Sequence, residues 1–276
     1  MSTEQARSTN AGDVLTALVG RDRVVVWSGV VGLAGVAWLY LLHLSRSMGA
    51  PSAGAGMAGM APQLAPWGIA ELAATVAMWA VMMVGMMLPS AAPLILLFAA
   101  VNRKRRAQGS LAVPTGVFIL GYLLVWGGFS VGAGFAQWGL HTLALLSPAM
   151  ATTSPILAGA LLIAAGVYQL SPLKEVCLAR CRSPLGFLMT EWRDGVAGAL
   201  RMGWRHGAYC LGCCWLLMGL LFVTGVMNLL WVAVIAFFVL LEKVAPGGVI
   251  VGRVGSAALI LAGIVMLGRA TGMGGM

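Results

Sequence analysis

Charge is scarce in this chain. Only 9% of its 276 residues are Asp, Glu, Lys or Arg, with 8 acidic residues in all, against about 25% charged residues in an ordinary soluble domain. That shortage excludes a soluble globular domain. An apolar content of 60% excludes a disordered chain, and 5 cysteines in this length exclude a disulfide-stapled mini-protein. No Walker loop, Rossmann fingerprint, His-Glu-x-x-His helix or nucleophile elbow occurs. No aspartate lies inside an apolar run, and a pump that phosphorylates an aspartate has no room here for its soluble domains. No cleavable secretory pattern precedes the first apolar run. A mean hydropathy of +0.94 leaves one class, an all-α, polytopic transmembrane helix bundle. The formal charge of +9 would suggest nucleic acid in a soluble protein. Beside membrane spans it sets orientation instead, so no nucleic-acid partner is expected.

A bilayer core needs about 20 apolar residues per helix. Seven runs are candidates: 24–44, 69–100, 113–140, 156–170, 208–227, 229–244 and 249–267. With the N-terminus inside, every Lys and Arg except Arg46 and Arg269 falls on an inner segment, which predicts N-terminus in and C-terminus out. The organisation expected is a flexible cytoplasmic tail over 1–23, one membrane domain over 24–267 and a short tail over 268–276. The domain carries an outer Gly- and Met-rich loop over 45–66 and an inner Cys-containing basic segment over 171–207. Trp192–His206 suits an amphipathic helix on the inner surface, anchored by Trp192 and Trp204. The location predicted is a cell inner (plasma) membrane, with the lipid bilayer as the first partner. No internal repeat is visible.

The second run holds Met78, Met82, Met83, Met86 and Met87 within twelve residues. At helical spacing Met78, Met82 and Met86 span about 80° of arc, a ladder of thioethers about 6 Å apart. Thioether is a soft, uncharged ligand that suits Cu(I) and can sit in hydrocarbon without the cost of a buried carboxylate. Packing alone also explains methionine in a membrane core. Pro89 and Pro93 predict a kink that frees a carbonyl near Gly85. The outer loop adds Met48, Met57 and Met60, a weak collecting site or a low-complexity linker.

All five cysteines fall within residues 177–214. Cys177 and Cys181 are four apart. Cys210, Cys213, Cys214 and His206 share about 100° of one helix face, read as the first turn or so of the fifth run at the inner surface. Three thiols and an imidazole suit a soft-metal site, and a reducing cytosol argues against structural disulfides there. The same cysteines could instead pack, or act as redox thiols favoured by Arg180, Arg182 and Arg205. Tyr168, Gln169 and Lys174 read as groups that satisfy backbone or snorkel, and Glu242-Lys243 as a snorkelling pair. Asn228 reads as a turn residue. Glu71, His43 and His141 read as outer-surface residues, the first two as minor candidates for a metal entrance. Gly128-x-x-x-Gly132 suits close helix packing.

Several phrases taken together resemble a known family: Met78 through Pro93, Tyr168 through Lys174, Cys177, Cys181 through Phe187, Arg205 through Trp215, Met227-Asn228 and Leu241-Glu242-Lys243. Over roughly residues 65–267 the chain resembles the predicted metal-binding integral membrane proteins of bacteria grouped as domain of unknown function 2182. The resemblance implies metal binding and supplies no mechanism. The residues point first to copper(I), with other soft ions open. The metal would be collected outside, passed along the methionines and held or delivered at the Cys/His cluster, with a metallochaperone or another membrane subunit as a partner. No catalytic residue is assigned. A thiol redox protein and an assembly subunit of a membrane complex are the alternatives.

Overall fold

A computed structural model describes residues 3–49, 68–109, 113–146 and 151–272, with side chains from Val24 to Ser47 in the first stretch and up to Ala270 in the last. The protein is all-helical, with no strand among the described residues. In chain order the helices are α1 (Thr3–Gly49), α2 (Ile69–Ala107), α3 (Thr115–Thr142), α4 (Pro155–Gln169) and α5 (Pro172–Arg182). Then follow α6 (Pro184–Glu191), α7 (Gly195–Gly219), the single turn α8 (Leu221–Thr224), α9 (Leu229–Val244) and α10 (Gly248–Gly272). Met48, Met57 and Met60 carry side chains outside the described residues.

Each of the seven apolar runs is mostly helical, but they differ in reach. Five helices are long and apolar enough to cross a membrane: Val24–Ser47, Ile69–Ala107, Thr115–Thr142, Gly195–Thr224 and Gly248–Ala270. A sixth arises if α4 and α5, bent by 63° at their junction, act as one broken span. The 16 residues of α9 reach only about 24 Å.

The breaks are local chemistry. Ser154-Pro155, Ser171-Pro172 and Ser183-Pro184 each open a helix. Proline tolerates the first helical turn because its missing N–H would be unpaired there anyway. The hydroxyls of Ser154 and Ser171 accept from Leu157 N and Lys174 N, both at 3.2 Å. Pro172 cannot continue α4, so the chain turns and lays α5 against α7.

α2 is the central element. It buries 67% of its most apolar window, against 22% for α1 and 17% for α10. It runs unbroken for 39 residues through Pro89 and Pro93. The carbonyl engaged beside these prolines is that of Met87, which accepts from Tyr122 Oη (3.0 Å) and Ser90 Oγ (2.8 Å).

The core is apolar, but polar groups are buried within it and large apolar side chains stand outside. Lys174, Glu242, Lys243, His206, Gln137 and Gln169 are buried, while Leu39, Val36, Ile250 and Val254 stand exposed. Such exposed apolar faces are compatible with a membrane protein.

One expectation is corrected. Trp192–His206 is not a separate surface helix. Trp192 caps the end of α6, and residues from Gly195 onward belong to α7, which continues to Gly219. The cause is glycine. A Cβ on Gly203 would run into the Phe118 carbonyl, and one on Gly121 into the Leu200 carbonyl, so the bare backbones of α3 and α7 dock directly. Gly128 and Gly132 lie outside this α3–α7 contact, with open space beside both within the chain.

Candidate metal centre

The extended α7 relocates the thiols. Cys210 lies about fifteen residues, or about 22 Å, along α7 rather than in its first turn. Cys210, Cys213 and Cys214 are buried, as is His206 one turn earlier. All five cysteines are free thiols.

Three elements converge on this stretch of α7. From α5, Cys181 interacts with the thiols of Cys210 and Cys213. Cys177 lies at the edge, its sulfur packed where Gly212 leaves room. From α2, Met87 Sδ lies 4.0 Å from Cys214 Sγ. From α3, Tyr122 Oη lies 3.1 Å from Cys210 Sγ. The His206 ring stacks on Tyr122 (centroids 5.7 Å apart) and meets Phe187 edge-on (5.4 Å). Its Nδ1 is buried without a hydrogen-bond partner. A buried imidazole nitrogen left unpaired is costly and is available to a ligand.

The donors are gathered, but a coordination shell is not formed. Among the described residues, no group of three or more His, Cys, Asp and Glu side chains is placed to hold a metal ion. The thiols of Cys213 and Cys214 instead donate to the carbonyl of Cys210, at 3.1 and 3.0 Å. Ligation would require these two side chains to rotate off their own helix.

Met78, Met82, Met83 and Met86 are all buried along α2, each no more than 4% exposed. The ring of Trp79 packs against Phe222 beside them, and its Nε1 donates to Gln137 Oε1 at 2.6 Å. Burial suits a ladder and a packed core equally.

The polar residues of the motif set stand elsewhere than expected. Lys174 and Glu242 do not snorkel. They form an enclosed ion pair at 2.7 Å, with Gln169 Nε2 donating to the same carboxylate at 3.1 Å. Lys243 turns the other way, its Nζ donating to Cys210 Sγ (2.9 Å) and Ser90 Oγ (3.1 Å). Arg182 donates to the carbonyls of Glu242 and Ala245, which fastens α5 to the end of α9. Tyr168 satisfies the Gly212 carbonyl, and Asn228 lies in the turn before α9. Glu71 caps the start of α2 by accepting from Gly68 N at 2.9 Å. Sequence reasoning missed Lys243, Ser90 and Tyr122 as neighbours of the thiols. A lysine inside an apolar run was the one available signal.

The family model PpoB2, described as a copper chaperone, matches residues 76–266. The chain belongs to this copper-chaperone family. The matched region runs from just before Met78 to the last turns of α10, so it takes in α2 from Val76 onward and the whole of α7. The family supports copper handling in general, with a metal ion as partner. No curated protein and no solved structure matches the chain.

Proposed function

We propose that this PpoB2 family member is a membrane-embedded copper(I) carrier that takes the ion along the thioethers of α2 and holds or passes it at the thiols of α7. One contact carries the reading: Met87 Sδ at 4.0 Å from Cys214 Sγ. It brings the last methionine of the α2 series against the cysteine cluster of α7, which supports transfer of a soft ion from thioether to thiol. The first holding site is assigned to Cys210, Cys213, Cys214 and Cys181 with His206 Nδ1, and Cys177 stands at its margin. Weak, similar and closely spaced ligands allow an ion to move from one to the next. Neutral thioethers let it do so without a buried carboxylate. The resemblance to domain of unknown function 2182 belongs to this reading, as do a bacterial plasma-membrane location, outer loading and inner delivery to a metallochaperone or membrane subunit.

Full-length protein purified in detergent is expected to bind Cu(I) in competition with a chromophoric Cu(I) chelator. Cys210→Ser/Cys213→Ser/Cys214→Ser is expected to lower the stoichiometry by at least one ion per chain. Met82→Leu/Met86→Leu is expected to slow loading with the thiol site intact. Wild-type stoichiometry in the triple variant would remove the thiols from the assignment.

A further inference from the structure

The thiol and thioether donors just assigned leave one neighbour unexplained. Lys243 sits in the last turn of α9 and is only 7% exposed. Its ammonium donates to Ser90 Oγ on α2 and Cys210 Sγ on α7, with Tyr122 of α3 and His206, Cys213 and Cys214 of α7 within electrostatic range. None of these is a carboxylate. The adjacent Glu242 is committed to Lys174 on the opposite side. A buried ammonium without an opposite charge is costly, and the group it meets directly in the cluster is the Cys210 sulfur.

We infer that Lys243 is a fixed positive charge that sets the valence of the ion accepted by this cluster, favouring a monovalent soft cation over a divalent one. The inference deepens the copper(I) reading and rests on it. Sulfur donors exclude hard ions but do not separate Cu(I) from Zn(II), which thiolates and imidazole also bind well. A charge beside the sulfur can separate them. Nζ lies 2.9 Å from Cys210 Sγ, so any ion held by that sulfur lies a few ångströms from the ammonium. Repulsion between the two scales with the charge on the ion, and a divalent ion suffers twice the repulsion of a monovalent one. For unit charges about 5 Å apart at an effective dielectric of about 20, the extra repulsion amounts to more than a tenfold change in relative affinity. The sign does not depend on how many thiolates join the shell, provided both ions use the same number.

The experiment compares wild type with Lys243→Met, Lys243→Gln and Lys243→Arg as full-length protein in detergent. Cu(I) and Zn(II) affinities are each measured by competition with chromophoric chelators. The ratio of Cu(I) to Zn(II) affinity is expected to fall at least about tenfold in the Met and Gln variants. It is expected to stay near wild type in the Arg variant, which keeps the charge. The Gln variant retains a hydrogen-bonding group toward Ser90 should the Met variant fail to fold. An unchanged ratio in the neutral variants, with Cu(I) bound by wild type, overturns the role of Lys243 and leaves the copper reading standing. An equal fall in the Arg variant overturns it too, since packing rather than charge would then be responsible. Absence of Cu(I) binding by wild type defeats the copper reading and this inference with it.

Discussion

Lys174 and Glu242 are each 2% exposed and 2.7 Å apart. Removing both charges from such a pair is often tolerated, whereas removing one strands the other in a medium that cannot solvate it. Glu242→Leu is therefore expected to destabilise the protein by about 3–5 kcal/mol, and Lys174→Met/Glu242→Leu to recover most of that loss. Unfolding of both variants in the same detergent checks this, and an additive loss in the double variant would show that the pair is not coupled. At this scale the sequence was legible in part. Helical spacing put Cys210, Cys213, Cys214 and His206 on one face, and the structure buries all four. Spacing says nothing about what that face meets. Glu242 and Lys243 are neighbours in the chain, yet they turn to Lys174 and to Cys210 respectively. Adjacent helical residues point about 100° apart, and that divergence matters only where two different helices stand opposite.

The contact between α3 and α7 governs whether Tyr122 reaches Cys210 at all. It depends on backbone approach at Gly121 and Gly203. Gly203→Ala is expected to push the Phe118 carbonyl away and cost about 1–3 kcal/mol, as overpacking does. Gly128→Ala, with open space beside it, is expected to be neutral or slightly stabilising, because alanine is the better helix former. Thermal melting of the two variants separates these outcomes, and equal melting temperatures would mean that the docking is not tight. The glycine pattern visible in the sequence was Gly128-x-x-x-Gly132, and the glycines that pack helix on helix within this chain are others. A small residue permits close approach on whichever side a neighbour lies, and the motif does not name the side. The serine–proline pairs were a better guide, since capping and the missing proline N–H act within one turn of chain.

For the whole molecule, the number of crossings decides whether the two ends share a side. Five helices are long enough alone, and the bent α4–α5 pair makes six. With α9 crossing as well, the proposed seven spans put the N-terminus in and the C-terminus out. A reporter that is active only outside the cell, fused after residue 276, is expected to be active, and one fused before residue 1 silent. Activity at both ends or at neither would mean an even number of crossings. Composition by itself determined that the chain is helical and apolar, because scarcity of charge and runs of about 20 apolar residues leave few other solutions. It also determined which residues are soft donors, since that is a property of their atoms. Only the tertiary structure decided that Met87 meets Cys214, that Cys181 joins the cluster while Cys177 stays at its edge, and that a lysine from α9 stands against Cys210. Those meetings are set by how helices far apart in sequence dock through glycine backbones and buried ion pairs. Periodicity along a single helix cannot encode the distance to another.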